Sequence, residues 1–258
     1  MRIFVLLSTI LFMFVTQVSA FEQLAANKDQ RRCTDCHTLN MDEAKDVLAG
    51  LQGEVVHVKP AVASGFWEIG IKTGGQTVPV FLDYSKKYLF SGNLVRLADR
   101  KNLSEDSFRR LNPVDVSKIP TDDALPLGNP EASTKIIVFT DPHCPYCAKL
   151  HEVMKEAVAK RSDLLFLIKL MPIKPSSKTV SKSIVCNQSM EQLEAAFAKL
   201  PVPEASCENN AIEQTLAVAK SFGINSTPTL ILPNGQVAPG YKPLEALLEM
   251  IDLAINKN

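Results

Sequence analysis

The chain has 258 residues, with 28 Lys+Arg against 28 Asp+Glu, 46% hydrophobic and 22% charged residues. That is an ordinary globular composition and excludes disordered, collagen-like and coiled-coil chains. The zero net charge and the absence of any basic run longer than two residues leave no electrostatic case for nucleic acid or an anionic lipid surface. The first twenty residues, MRIFVLLSTILFMFVTQVSA, carry one cation at Arg2, an apolar stretch from Ile3 to Val15 and small residues at Val18-Ser19-Ala20. Residues 1–20 are read as a signal peptide, because the apolar stretch is shorter than the ~20 residues of a spanning helix, with an uncleaved membrane anchor as the alternative. Export is the expectation. All six cysteines follow this segment, as Cys33/Cys36, Cys144/Cys147 and Cys186/Cys207, so disulfide chemistry is the first class to consider.

Residues 21–103 are read as one small N-terminal α+β domain. Helical spacing of apolar residues over Met41–Leu51 predicts a helix. The segments Glu54–Val58, Phe66–Lys72, Gln76–Tyr84 and Tyr88–Asn93 have strand character, and Gly74-Gly75 marks a hairpin turn. Asn102-Leu103-Ser104-Glu105-Asp106 reads as a helix start. The interdomain linker is placed at 104–130, where Pro113, Pro120, Pro126, Gly128 and Pro130 accumulate.

From 131 to 258 the pattern becomes strand (Lys135–Thr140), helix (Pro145–Lys160) and strand (Leu164–Leu170), a βαβ opening with a parallel pair. Three helical stretches follow, near Ser176–Cys186, Met190–Leu200 and Asn210–Phe222. A hairpin through Asn234-Gly235 then joins Thr227–Leu232 to Gln236–Tyr241, and Pro243–Ile255 is a closing helix. This is the order of a thioredoxin-like domain with a helical insertion.

Cys144-Pro145-Tyr146-Cys147 falls where the first strand of that domain ends and its helix begins. Unpaired N–H groups and the helix dipole at such a junction favour a thiolate over a thiol, which makes Cys144 the nucleophile. Cys147, three residues on, is placed to resolve a mixed disulfide. Pro145 suits the first helical position, and His143 is a candidate for tuning Cys144. A zinc half-site or a plain staple would need a different context, and no metal is expected. Thr227-Pro228 precedes the last hairpin as a candidate cis peptide.

These motifs resemble the family of bacterial periplasmic disulfide isomerases DsbC and DsbG. The resemblance rests on Val138-Phe139-Thr140-Asp141 ahead of the CPYC motif, Lys149-Leu150-His151 after it, Gly223–Thr229, Asn234-Gly235 and Pro239-Gly240-Tyr241. In the first domain it rests on Lys59-Pro60 through Gly65, the hairpin at Gly74-Gly75, and Asp83–Gly92. It implies an α+β chain with a cystatin-like N-terminal dimerisation domain, and a V-shaped homodimer whose cleft takes misfolded exported proteins. It further implies a membrane reductant of the DsbD type, a structural disulfide between Cys186 and Cys207, and a loop at Thr227 and Pro228 that faces the active-site pair. The activity expected is thiol:disulfide isomerisation or reduction with no required cofactor. A dithiol oxidase and a holdase chaperone of the same fold are the alternatives.

Cys33-Thr34-Asp35-Cys36-His37 departs from the best-known members of that family. Its C-x-x-C-H form is that of covalent haem c attachment, with His37 as axial ligand and Met41 or His57 available on the far side. A second redox or structural dithiol and a metal half-site are the competing readings. The short segment before Met41 offers thin cover for a haem, so the reading leans to the dithiol, and a haem would make the chain a haem-linked redox protein.

Overall fold

The computed structural model describes residues 36–205 and 207–256. The signal-peptide reading at 1–20 and Cys33 lie outside them. The chain folds as two compact units, the first holding the chain up to Ile71 with Val80–Ser91, and the second Lys72–Pro79 with everything from Gly92 onward.

In the first unit α1 (Met41–Val47) is capped by the Asn40 side chain, which accepts from the Glu43 amide. The helix expected to reach Leu51 stops at Leu48, whose N–H bonds the Ala44 carbonyl while the Ala49 N–H turns back to that of Asp46. Strands β1 (Glu54–Pro60), β2 (Phe66–Thr73), β3 (Gln76–Asp83) and β4 (Leu89–Phe90) form a sheet in that order. Alternation along β2 sends Trp67, Ile69 and Ile71 into a core with Ala44, Leu48, Val55, Val80 and Leu82. The opposite face buries Glu68 beside His57 Nε2 at 3.4 Å and Lys59 Nζ at 3.5 Å. The last strand is shorter than the expected Tyr88–Asn93. It pairs through Phe81↔Phe90 and Leu82↔Leu89, and Gly92, at φ 149°, leads the chain out of the sheet.

A two-residue ladder not foreseen from the sequence follows, β5 (Val95–Arg96) with β6 (Lys101–Asn102), its turn tied by Arg96 to Asp99. The segment read as a linker at 104–130 is largely structured. Helix α2 (Leu103–Leu111) fills its start, a 3-10 turn (Val116–Lys118) its middle, and β7 (Leu125–Gly128) its end. Strand β7 pairs antiparallel with β9 (Leu164–Leu170), from Leu125↔Ile168 to Gly128↔Leu165. Pro126 is tolerated there because β7 is an edge strand.

The main sheet runs β11-β10-β8-β9-β7, with β8 (Thr134–Thr140) parallel to β9 and antiparallel to β10 (Thr229–Ile231), which pairs with β11 (Val237–Pro239). Helix α3 (Pro145–Lys160) follows β8, and α4 (Pro175–Asn187), α5 (Met190–Phe197) and α6 (Ala211–Ser221) form the insertion. Helix α7 (Leu244–Ile255) closes the chain with Pro243 as its N-cap rather than its first turn. Period-two alternation divides the sheet between two cores. Ile136, Val138, Phe166 and Ile168 pack with α3 and α7, whereas Ile137, Phe139 and Ile231 pack with Ala219, Ile224 and Ile119. The hairpin turn at Gly235 needs glycine twice over: its φ is +80°, and a Cβ would lie 2.2 Å from the Val114 carbonyl oxygen. Among the described residues no helix is long and apolar enough to cross a membrane.

Candidate active site

Parallel strand β8 ends at Thr140, and the chain must turn before α3 can pack back across the sheet. That turn carries Asp141-Pro142-His143, and Cys144 is the N-cap of α3. The thiol makes no capping bond to the helix, and Pro145 occupies the first turn, where its missing N–H leaves no bond unmade. Cys144 is half-buried, and its Sγ lies 3.6 Å from the carbonyl oxygen of Thr227. The peptide bond from Thr227 to Pro228 is cis. Gly240 N–H donates to the Pro228 carbonyl, and Thr229 Oγ1 to that of Ser226, so both neighbours tie this loop down.

Cys147 lies within the first turn of α3 and is 1% exposed. Neither sulfur is disulfide-bonded in this structure. Burial pushes the Cys147 thiol up to about 12, against weaker opposing hydrogen bonds, including one from the Asp141 N–H at 3.5 Å. One accessible sulfur at a helix N-terminus therefore stands in front of a second that is dry and protonated. The surrounding surface is formed by exposed His143, Pro145 and Tyr146, with Lys149 Nζ 5.6 Å from the centre of the Tyr146 ring.

Asp141, to which the motif alone assigns no role, is built into this turn. It is 1% exposed, and its carboxylate accepts from His143 N, Ile173 N and Ser177 Oγ, each at 2.7 Å. Its own carbonyl accepts from Cys144 N at 3.0 Å. It thus holds the turn before α3 against the start of α4. Its place beside the cysteines is visible in the sequence; its partners, 32 and 36 residues away, are not. A second buried charge, Lys169 on β9, pairs with Asp123, which also accepts from Thr215 Oγ1 at 3.3 Å.

Away from this site, Cys186 and Cys207 are bonded, with an S–S distance of 1.97 Å and their α-carbons 5.7 Å apart. In the first unit Cys36 is exposed, and the His37 ring lies 4.9 Å from that of Tyr84, which is itself 5.1 Å from Trp67. Met41 packs on the core of that unit, and His57 stands beside Glu68. The residues considered as a far-side haem ligand are thus engaged elsewhere. Among the described residues no three His, Cys, Asp or Glu side chains gather as a metal site.

The chain is 25% identical over 173 residues to a probable thiol:disulfide interchange protein DsbC of Bordetella avium, covering 66% of this chain and 61% of that protein. It is 33% identical over 125 residues to the thiol:disulfide interchange protein DsbC of Salmonella typhimurium, covering 48% of this chain and 52% of that protein. The matches thus span between half and two thirds of these relatives' lengths. A crystal structure of a disulfide interchange protein from Neisseria gonorrhoeae is 28% identical, covers 53% of this chain and 98% of that one, and has a TM-score of 0.44. The sequence profile of the thioredoxin-like domain matches residues 123–255, just over half of the chain and the same stretch that builds β7 to α7 around the two thiols. With that sheet order and that match, the chain belongs to the thioredoxin-like domain family.

Proposed function

We propose that this chain is a periplasmic thiol:disulfide isomerase or reductase acting on exported proteins with wrong disulfides. The observation that carries the reading is the inequality of the two sulfurs: Cys144 is accessible at the N-terminus of α3, and Cys147 is buried with its proton held to about 12. In the reaction the Cys144 thiolate attacks a substrate disulfide, a mixed disulfide forms, and one substrate sulfur leaves. A resolving thiol that gives up its proton reluctantly lengthens the life of that mixed disulfide. The freed substrate thiol then has time to attack elsewhere and shuffle the pairing, which favours isomerisation over net oxidation. The Thr227 backbone beside Cys144 suits an extended substrate strand. A membrane dithiol reductant of the DsbD type would keep the pair reduced. Homodimerisation through the first unit is part of the same reading. Its β4, last in the order of that sheet, carries exposed Leu89 and Phe90, an edge suited to a second copy.

The test is a trapping pair. Cys147→Ser is expected to accumulate mixed disulfides with exported proteins, resolved by reductant on a gel, and Cys144→Ser to form none and lose exchange. Trapping by Cys144→Ser alone would reverse the roles, and trapping by neither would remove the enzyme reading in favour of a holdase.

For Cys33 and Cys36 the proposal is a second dithiol, supported by His37 packing on Tyr84 and by the engagement of Met41 and His57. Protein made with cytochrome c maturation machinery is expected to be colourless, with both sulfurs alkylated after reduction. A haem mass on the peptide holding both would assign haem-linked control instead.

A further inference from the structure

The hydrogen-bond chain behind the nucleophile has a direction that the proton count fixes. Ser177 is fully buried in the first turn of α4, and its Oγ lies 2.7 Å from Asp141 Oδ1 and 3.3 Å from His143 Nδ1. A hydroxyl has one proton. Given to the carboxylate, over the shorter and charge-assisted contact, it leaves the serine oxygen only an acceptor role toward the imidazole. His143 must then carry hydrogen on Nδ1. The same Asp141 oxygen also accepts the His143 backbone N–H at 2.7 Å, so both the main chain and the ring of this residue are held.

We infer that Asp141 and Ser177 are positioning residues that fix His143 as its Nδ1–H tautomer, leaving Nε2 as the atom that moves protons for Cys144. The inference rests on the thiol-exchange reading. His143 is exposed and directly precedes Cys144, and with Nδ1 engaged by Ser177 its other ring nitrogen, Nε2, is the one left to exchange protons. Neutral Nε2 takes the Cys144 thiol proton, giving thiolate and imidazolium. The thiolate's electron pair forms the new S–S bond as the substrate S–S bond breaks. The departing sulfur keeps that bond's electron pair and takes the Nε2 proton, restoring neutral imidazole. No outside oxidant or reductant is needed for this half-reaction. The other titratable and charged groups on the elements meeting His143 are Asp141 in its own turn, Cys144, Tyr146, Cys147 and Lys149 on α3, and Lys174 and Lys178 at the start of α4.

The test combines nitrogen-15 NMR of the histidine rings with the pH profile of exchange against oxidised glutathione, on the full mature chain. The wild type is expected to show His143 protonated on Nδ1. Ser177→Ala should move the ring toward the Nε2–H form common in free imidazole, shift the pH profile and slow exchange by about a hundredfold, the low end for acid–base assistance. Ser177→Thr keeps the hydroxyl and should restore both. His143→Phe should slow exchange equally and make a further Ser177→Ala change silent. Wild-type His143 found as Nε2–H would overturn the inference without any variant, as would a Ser177→Ala enzyme with an unchanged tautomer and profile. A wild type with the Nδ1–H ring but no exchange would instead remove the function proposed above.

Discussion

Cys144 and Cys147 share one helix turn and differ in how each meets water, and that difference decides their chemistry. Cys144 stands at the open end of α3, whereas Cys147 is sealed beneath the turn and keeps its proton to about 12 against an ordinary 9.0. Between those two values the folded, reduced protein binds one more proton at Cys147 than the unfolded chain does. Stability from this group is therefore fully present below about pH 9 and is lost as the pH rises toward 12. Urea midpoints of the reduced wild type should fall more steeply above pH 9 than those of Cys147→Ser, which has no thiol to titrate. Parallel curves would show that burial does not hold the proton. Iodoacetamide at pH 8 should label Cys144 alone of this pair until the protein is unfolded.

The turn between β3 and β4 shows the same linkage with the opposite sign. Asp83 accepts backbone N–H bonds from Ser85, Lys87 and Tyr88 at 3.0, 2.9 and 2.8 Å, and a further bond from the Ser85 hydroxyl. These bonds, led by the Ser85 hydroxyl, lower its carboxyl from 3.8 to about 2. The turn's contribution is present above about pH 4 and is lost as the pH falls toward 2. The Lys87 and Tyr88 amide resonances should titrate together near pH 2, and in Asp83→Asn they should not titrate at all. A midpoint near 3.8 would mean the carboxylate is not engaged. Elements of this kind divide by how local their cause is. Helix α3 and strand β9 match their expected bounds because their causes are local: a proline in the first turn of α3 and the apolar run LLFLIKL in β9. Strand β7 was not legible, since Leu125-Pro126-Leu127-Gly128 reads as loop and becomes a strand only against the free edge of β9. The position of Cys144 and Cys147 at the start of α3 was legible for the same local reason as the helix itself, but the bonds of Asp141 to Ile173 and Ser177 arise only when the insertion folds back onto the turn.

At the scale of the whole chain, the boundary of the thioredoxin-like domain decides what can fold alone. A boundary at 131 would leave out β7 and Asp123. Removing β7 exposes the N–H and C=O groups along one side of β9, whose sequence LLFLIKL is an apolar edge open to association. Removing Asp123 leaves Lys169, 2% exposed, without the carboxylate that compensates its charge, and breaking such a pair costs about 3 kcal/mol or more. The bond from Val114 N–H to the Gly235 carbonyl, at 2.8 Å, carries the requirement back further and ties the stretch just before the 3-10 turn to the last hairpin. A fragment 112–258 is therefore expected to be soluble, monomeric by sedimentation and competent in reducing small disulfides. A fragment 131–258 is expected to aggregate, or to melt far below it. The full mature chain should sediment as a dimer at micromolar concentration and alone support isomerisation, because only it carries the β4 edge. Equal stability of the two fragments would remove β7 and Asp123 from the thioredoxin-like domain, and a monomeric full chain would remove the first unit as the dimer contact.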